Sequence, residues 1–284
     1  AYRQAVSASL LVPEIHRFEV LPWVQRAYAN VSAEYRTVQS QVYEVLNGIS
    51  GKEVTLRAGT PDITYLVSDS LSWMNTGKGY TLSTTDSLFG VCAPLVRDGI
   101  PLKMKAMDQL SSGDDLKNSA VVIVSFDSSV PLSEKVNQAL AEYVKNGGTL
   151  LCITGSNQYW DISDYFFWKE DGSPLNNLLV HLGLDKKIKV GTVEGSKVDL
   201  KSAVSEINST INGVKLNGTA KNFALSFTGA SDVILSAGTT PIGFDEKVGK
   251  GNFICLGVPS ACCATGTEAG QNFVRALMEY ALGY

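Results

Sequence analysis

The sequence predicts an α/β fold built on a parallel, flavodoxin-like sheet with helices on both faces and a β-rich insertion. Three observations carry that prediction. Val121-Val122-Ile123-Val124 is an unbroken apolar run, as in strands covered on both faces. LSEKVNQALAEYVK follows it with Val136, Leu140, Tyr143 and Val144 on one helical stripe. Gly147-Gly148 then releases the chain into a second apolar run, Thr149 to Thr154. Strand, helix and strand in this order imply a right-handed crossover between parallel neighbours.

Composition excludes several classes. With 284 residues and 44% hydrophobic content there is ample material for a core, in one large domain or two modest ones. The net charge of −4 comes without any basic tract, so nucleic acid is not an expected partner. No apolar run approaches the roughly 18 residues of a membrane span, so a membrane partner is not expected either. The chain begins at Ala1 without a Met or a signal peptide and reads as a processed or excised segment. Asn30-Val-Ser32, Asn208-Ser-Thr210 and Asn217-Gly-Thr219 are glycosylation sequons, which do not decide between a cytoplasmic and a secreted protein.

The elements follow in chain order. Residues 1–58 form a separate N-terminal segment: an apolar run at Ser9 to Val12, the charged and aromatic stretch PEIHRFEVLPWVQRAY, and a helix over 33–46. Ser32 is its N-cap, Tyr35, Val38, Val42, Val45 and Leu46 its apolar stripe, and Asn47-Gly48 its stop. This block is too small to form a core alone. Residues 59–284 are the α/β domain. Ile63 to Ser68 is a strand, Asp86 caps a helix through LFGVCAPLVRDG, and Ile100 to Met107 is the next strand. After the central strand–helix–strand run come a long aromatic loop, a helix from Leu175 to Leu182 closed by Gly183, and a Ser/Thr/Asn/Gly-rich β-rich insertion over about 187–240. Gly249-Lys250-Gly251 turns into a buried strand, Asn252 to Gly257, and a helix from Glu268 to Leu282 closes the chain.

The phrases VVIVSF, YVKNGGTLL, SPLNNLLVHLGL and GKGNFICLG together resemble class I glutamine-amidotransferase-like domains. In particular they look like the trimerisation-type domain that follows the catalytic barrel in β-galactosidase-like glycoside hydrolases. The resemblance covers roughly 61–284. It implies that residues 1–58 are the last strand and helix of a preceding barrel. It also implies a catalytic barrel domain or subunit as partner, carbohydrate as the ligand class, and assembly into a homo-oligomer. The first reading of function is thus a non-catalytic accessory and assembly domain of a multidomain glycoside hydrolase. A carbohydrate-binding or scaffolding module is the second, and an unrecognised amidotransferase-like or ThuA-like hydrolase the third.

The candidate residues favour the first two. Active amidotransferases of this class carry a Cys on a strand-to-helix elbow, activated by His. Here the corresponding position is Gly155-Ser156-Asn157, Cys152 lies within the strand, and His181 falls in a helical LLVHLGL context. The third reading requires a Ser or Cys within hydrogen-bond reach of a histidine or carboxylate. Tyr159, Trp160, Asp161, Tyr165, Phe166, Phe167 and Trp168 cluster in the loop beyond the strand, where rings stack on sugars or bury at an interface and carboxylates accept hydroxyls. Glu19, beside Arg17 and Trp23, is a catalytic candidate only if a second barrel carboxylate exists. Cys92, Cys152, Cys255, Cys262 and Cys263 show no CxxC spacing, so neither a metal site nor a disulfide framework is expected. No cofactor is expected, because Gly77-Lys78-Gly79 lacks the spacing of a phosphate-binding loop.

Overall fold

The structure, a computed structural model, describes residues 6, 9, 24–52, 62–70, 82–126, 130–155, 173–193, 200–211, 224–260 and 268–283. The chain divides into two compact units, residues 1–60 with 96–101 and residues 61–95 with 102–284.

In the first unit, α1 (Val24–Asn30) precedes α2 (Ala33–Ile49). Ser32 caps α2 by accepting the Tyr35 N–H at 3.4 Å, as its position before the apolar stripe predicts. The helix runs through Asn47-Gly48, the expected stop. Nothing lies within 4 Å of a Cβ at Gly48, and the left-handed residue is Gly51, at φ 74°. Helix α1 lies in a stretch that reads locally as loop. It is held by α2: the Tyr28 and Ser40 hydroxyls meet at 3.2 Å, and the Arg36 guanidinium lies 6.0 Å above the Tyr28 ring.

The second unit contains β1 (Ile63–Val67), α3 (Leu82–Arg97), β2 (Leu102–Ala106), β3 (Val121–Val124), α4 (Glu134–Lys145), β4 (Thr149–Ile153) and α5 (Pro174–Leu182). These are followed by β5 (Lys189–Val193), β6 (Leu200–Ser202), α6 (Ser205–Ile211), β7 (Ala224–Thr228), β8 (Val233–Ala237), β9 (Thr240–Val248), β10 (Gly251–Leu256) and α7 (Glu268–Leu282). Asp86 lies inside α3 and is not its cap.

The main sheet has the order β2-β1-β3-β4-β10-β9-β8-β6. Its first five strands are parallel to one another, which is the flavodoxin-like arrangement. Side chains alternate between two buried faces. Val122, Val124, Leu150, Cys152, Phe253 and Cys255 join α4 and α5 in one core cluster. The intervening Val121, Ile123, Leu151, Ile153 and Ile254 are equally buried on the other face, where α7 packs on β4. Helices therefore cover both faces, as the apolar runs predict. Full burial of each such side chain contributes about 1.5–3 kcal/mol relative to exposure.

The β-rich stretch expected over about 187–240 is largely built into the main sheet. Strands β6, β8 and β9 continue the main sheet in antiparallel fashion, and only β5 and β7 pair separately. The stretch also contains α6, and β9 extends it to Val248. Strand β9 reads poorly in sequence because Pro241 and Gly243 interrupt its β-branched pattern. The paired ladder with β10 overrides that weak propensity.

Candidate functional site

Ligands of doubly wound sheets bind outside the carboxyl ends of the strands, where the strand order reverses. That switch point lies between β1 and β3 here. Its chemistry comes from the residues just beyond each strand: Ser68, Asp69 and Ser70 after β1, Asp108 after β2, Ser125 after β3 and Thr154 after β4. Ser260 follows β10. Four of the five serine and threonine hydroxyls at these ends belong to residues at most 3% exposed, and Ser68 is 5% exposed.

Asp108 is the centre of this arrangement. Its Oδ2 accepts the Ser68 hydroxyl at 2.6 Å and the Asp69 N–H at 3.3 Å, and its Oδ1 accepts the Leu132 N–H at 3.0 Å. Ser70 both donates its hydroxyl to the Val130 carbonyl and accepts the Val130 N–H, each at 2.8 Å. The segment Val130–Leu132, which connects β3 to α4, is thereby tied across the ends of β1 and β2. Val130 is 1% exposed, so this end of the connection is buried against the strand ends.

The neighbouring strand ends are bonded to one another. Ser125 donates its hydroxyl to that of Ser260 at 3.2 Å, and the Thr154 N–H reaches the Leu256 carbonyl at 2.9 Å. Gly155 is required where β4 ends, because a Cβ there would overlap the Pro259 ring.

Cys152 and Cys255 are wholly buried and are register partners on β4 and β10. Cys92 is also buried, and burial pushes its thiol up to about 12. A thiol that cannot ionise is neither a nucleophile nor a metal ligand. His181, on the last turn of α5, meets Glu134 Oε1 through Nε2 at 2.8 Å and so links α5 to the first turn of α4. Among the described residues no serine or cysteine hydrogen-bonds to a histidine. The Ser68–Asp108 pair does satisfy the hydrogen-bond requirement of a hydrolase, and the sequence reading missed it because the two residues follow different strands, 40 positions apart. Asp108 nevertheless spends both oxygens on backbone N–H groups as well, which is the chemistry of a clamp. No group of three or more potential metal ligands occurs among the described residues.

The aromatic candidates Tyr159, Trp160, Asp161, Tyr165, Phe166, Phe167 and Trp168 lie outside the described residues, as do Glu19, His16, Cys262 and Cys263. Among the described residues no helix is long and apolar enough to cross a membrane.

No family model matches the sequence, and no curated protein does. Solved structures match in fold. The exo-β-1,4-mannosidase Op5Man5 from Opitutaceae bacterium strain TAV5 superposes with a TM-score of 0.54 over 92% of this chain and 43% of its own, at 11% identity. The E323A catalytic mutant of Gan42B, a GH42 β-galactosidase from G. stearothermophilus, superposes with a TM-score of 0.50 over 88% of this chain, at 16% identity. A ThuA-like protein from Bacteroides uniformis gives a TM-score of 0.49 over 80% of this chain and 94% of its own, at 11% identity. The chain spans 34% of the length of the GH42 enzyme. At these identities the likeness shows one thing, a shared mixed α/β fold with a mostly parallel central sheet.

Proposed function

We propose that the chain is a non-catalytic, amidotransferase-like assembly domain of a multidomain carbohydrate-active enzyme, with a catalytic barrel as its partner. The observation that carries this reading is the hydrogen-bonded clamp at the switch point. Asp108 and Ser70 hold Val130–Leu132 against the carboxyl ends of β1 and β2, where doubly wound folds bind their ligands. The sequence offers Gly155-Ser156-Asn157, without a Cys, where active amidotransferases carry their nucleophile. The lengthwise match to part of a β-galactosidase and of an exo-mannosidase supports carbohydrate hydrolysis as the parent activity. On this reading residues 1–58 are the end of the barrel, and the α/β domain serves to assemble the enzyme into a homo-oligomer.

The test is to assay the purified chain on aryl β-galactosides and β-mannosides while measuring its mass in solution by light scattering. No turnover together with an oligomeric mass is expected. Turnover abolished by Ser68→Ala in a folded variant would place chemistry in this chain and overturn the non-catalytic reading. A monomer that also fails to bind a separately produced barrel would overturn the assembly role.

A further inference from the structure

A cavity of about 270 Å³ opens at the opposite, amino edge of the sheet, between the end of α4, the 3-10 turn Gly113–Leu116 and the start of β3. Its floor is fixed. The Tyr143 hydroxyl donates to the Ser119 carbonyl at 2.9 Å, and the Ser119 hydroxyl meets that of Thr64 at 2.7 Å. Gly113 and Gly148 are needed to let the backbone close around Tyr143: a Cβ at Gly113 would lie 2.6 Å from the Tyr143 nitrogen, and one at Gly148 would overlap its ring.

The rim is unspent. Asp114, Lys117 and Asn146 line the cavity and are exposed, and among the described residues none of their side chains has a hydrogen-bond or ion-pair partner. Together they offer donors and acceptors with no net charge. The carboxyl end of α4 adds partial negative charge at the same place, so an anion is disfavoured beside Asp114. The volume lies just below the usual range for ligand sites, which limits an occupant to one compact molecule.

We infer that this cavity binds a neutral, ring-sized polyol, a single monosaccharide unit, with Lys117 and Asn146 donating to hydroxyl oxygens and Asp114 accepting from hydroxyls. This goes beyond the assembly role and does not depend on it, since light scattering and turnover do not read this site. The test is backbone amide NMR of the full chain titrated with galactose, mannose and, as counter-probes, inorganic phosphate and glycine betaine. Saturable millimolar shifts with galactose or mannose are expected at Gly113, Lys117, Asn146 and Gly147. Removing one hydrogen-bonding group, as in Lys117→Ala or Asn146→Ala, should weaken them about fivefold without changing Tm. Asp114→Asn, which keeps an acceptor, should retain most of the binding. Larger shifts with phosphate or betaine than with either sugar, sugar shifts confined to other parts of the chain, or no saturable shift at all would overturn the inference.

Discussion

Lys250 donates its backbone N–H to the carbonyl of Lys145 at 3.1 Å, and this bond joins the two most recognisable phrases of the sequence. Lys145 ends α4 ahead of Asn146-Gly147-Gly148, and Lys250 is the tip of the β9–β10 hairpin. Asn252 adds a second bond, to the Gly148 carbonyl at 3.1 Å. The hairpin turn has Gly249 at φ 61° followed by a residue of ordinary φ, the type II′ pattern that matches the strand twist. Gly249 and Gly251 therefore answer one requirement: the hairpin backbone approaches that of residues 144–148 too closely for side chains.

Gly251→Ala tests that requirement. A Cβ at position 251 would overlap the carbonyls of Gly148 and Val144, both backbone atoms that cannot rotate away. The expected loss is about 3 kcal/mol, within the range for forced overpacking. Gly238 has φ 60° but nothing within 4 Å of its Cβ position. Gly238→Ala should cost only the left-handed backbone term, about 1 kcal/mol. Urea unfolding of both variants gives the comparison, and equal losses would contradict close approach as the cause.

The same contact explains what was legible in the sequence. Val121–Val124, Thr149–Ile153 and the α4 stripe are local, dense patterns, and each element formed where its pattern placed it. Helix α7 likewise runs from Glu268 to Leu282 as its periodicity indicates. The failures depend on contacts outside the element itself. Helix α1 depends on Tyr28 meeting Ser40, and β9 depends on ladders with β8 and β10. The Asp108 clamp joins residues 24 and 40 positions apart, so no spacing rule reveals it.

Asp108→Ala should strip three donors of their acceptor at once, leaving Ser68, Asp69 and Leu132 to find water. Hydrogen bonds to a charged group contribute more than neutral ones, and the expected loss is about 2–3 kcal/mol. Local opening should fall on the connecting segment, so amide hydrogen exchange at Val130 and Leu132 should accelerate more than at Val122 or Leu151. Uniform acceleration across the sheet would show that Asp108 acts on global stability and not as a clamp on that segment.

The three described cysteines should be silent in the native protein. Burial removes Cys92, Cys152 and Cys255 from reagent, and for Cys92 it also pushes the thiol up to about 12, far from ionisation at neutral pH. Alkylation followed by peptide mapping should find these three modified only after denaturant exposes the core. Labelling of Cys152 or Cys255 on the timescale of an exposed thiol would mean that the β4–β10 seam opens readily.

Asp245 gives the chain a pH signature of unusual sign. Burial raises its carboxyl above the ordinary 3.8. The hydrogen bond donated by Tyr280 works against that, while Asp232 and Glu246 push it further up and Lys247 lowers it. The folded state therefore holds the proton more tightly than the unfolded state. Such a group contributes stability that is complete below the unfolded value and is lost as pH rises through the folded one. At neutral pH the charged Asp245 is a net liability, even though it holds the Tyr280 hydroxyl at 2.9 Å. Asp245→Asn keeps an oxygen for that hydroxyl and removes the charge. The variant should melt above the wild type at neutral pH, and the difference should close as the pH falls towards 3.8. Taking the difference between the two proteins cancels the titration of groups that do not interact with Asp245. A wild type that melts higher at neutral pH would show that the charge-assisted bond to Tyr280 outweighs both burial and the neighbouring carboxylates.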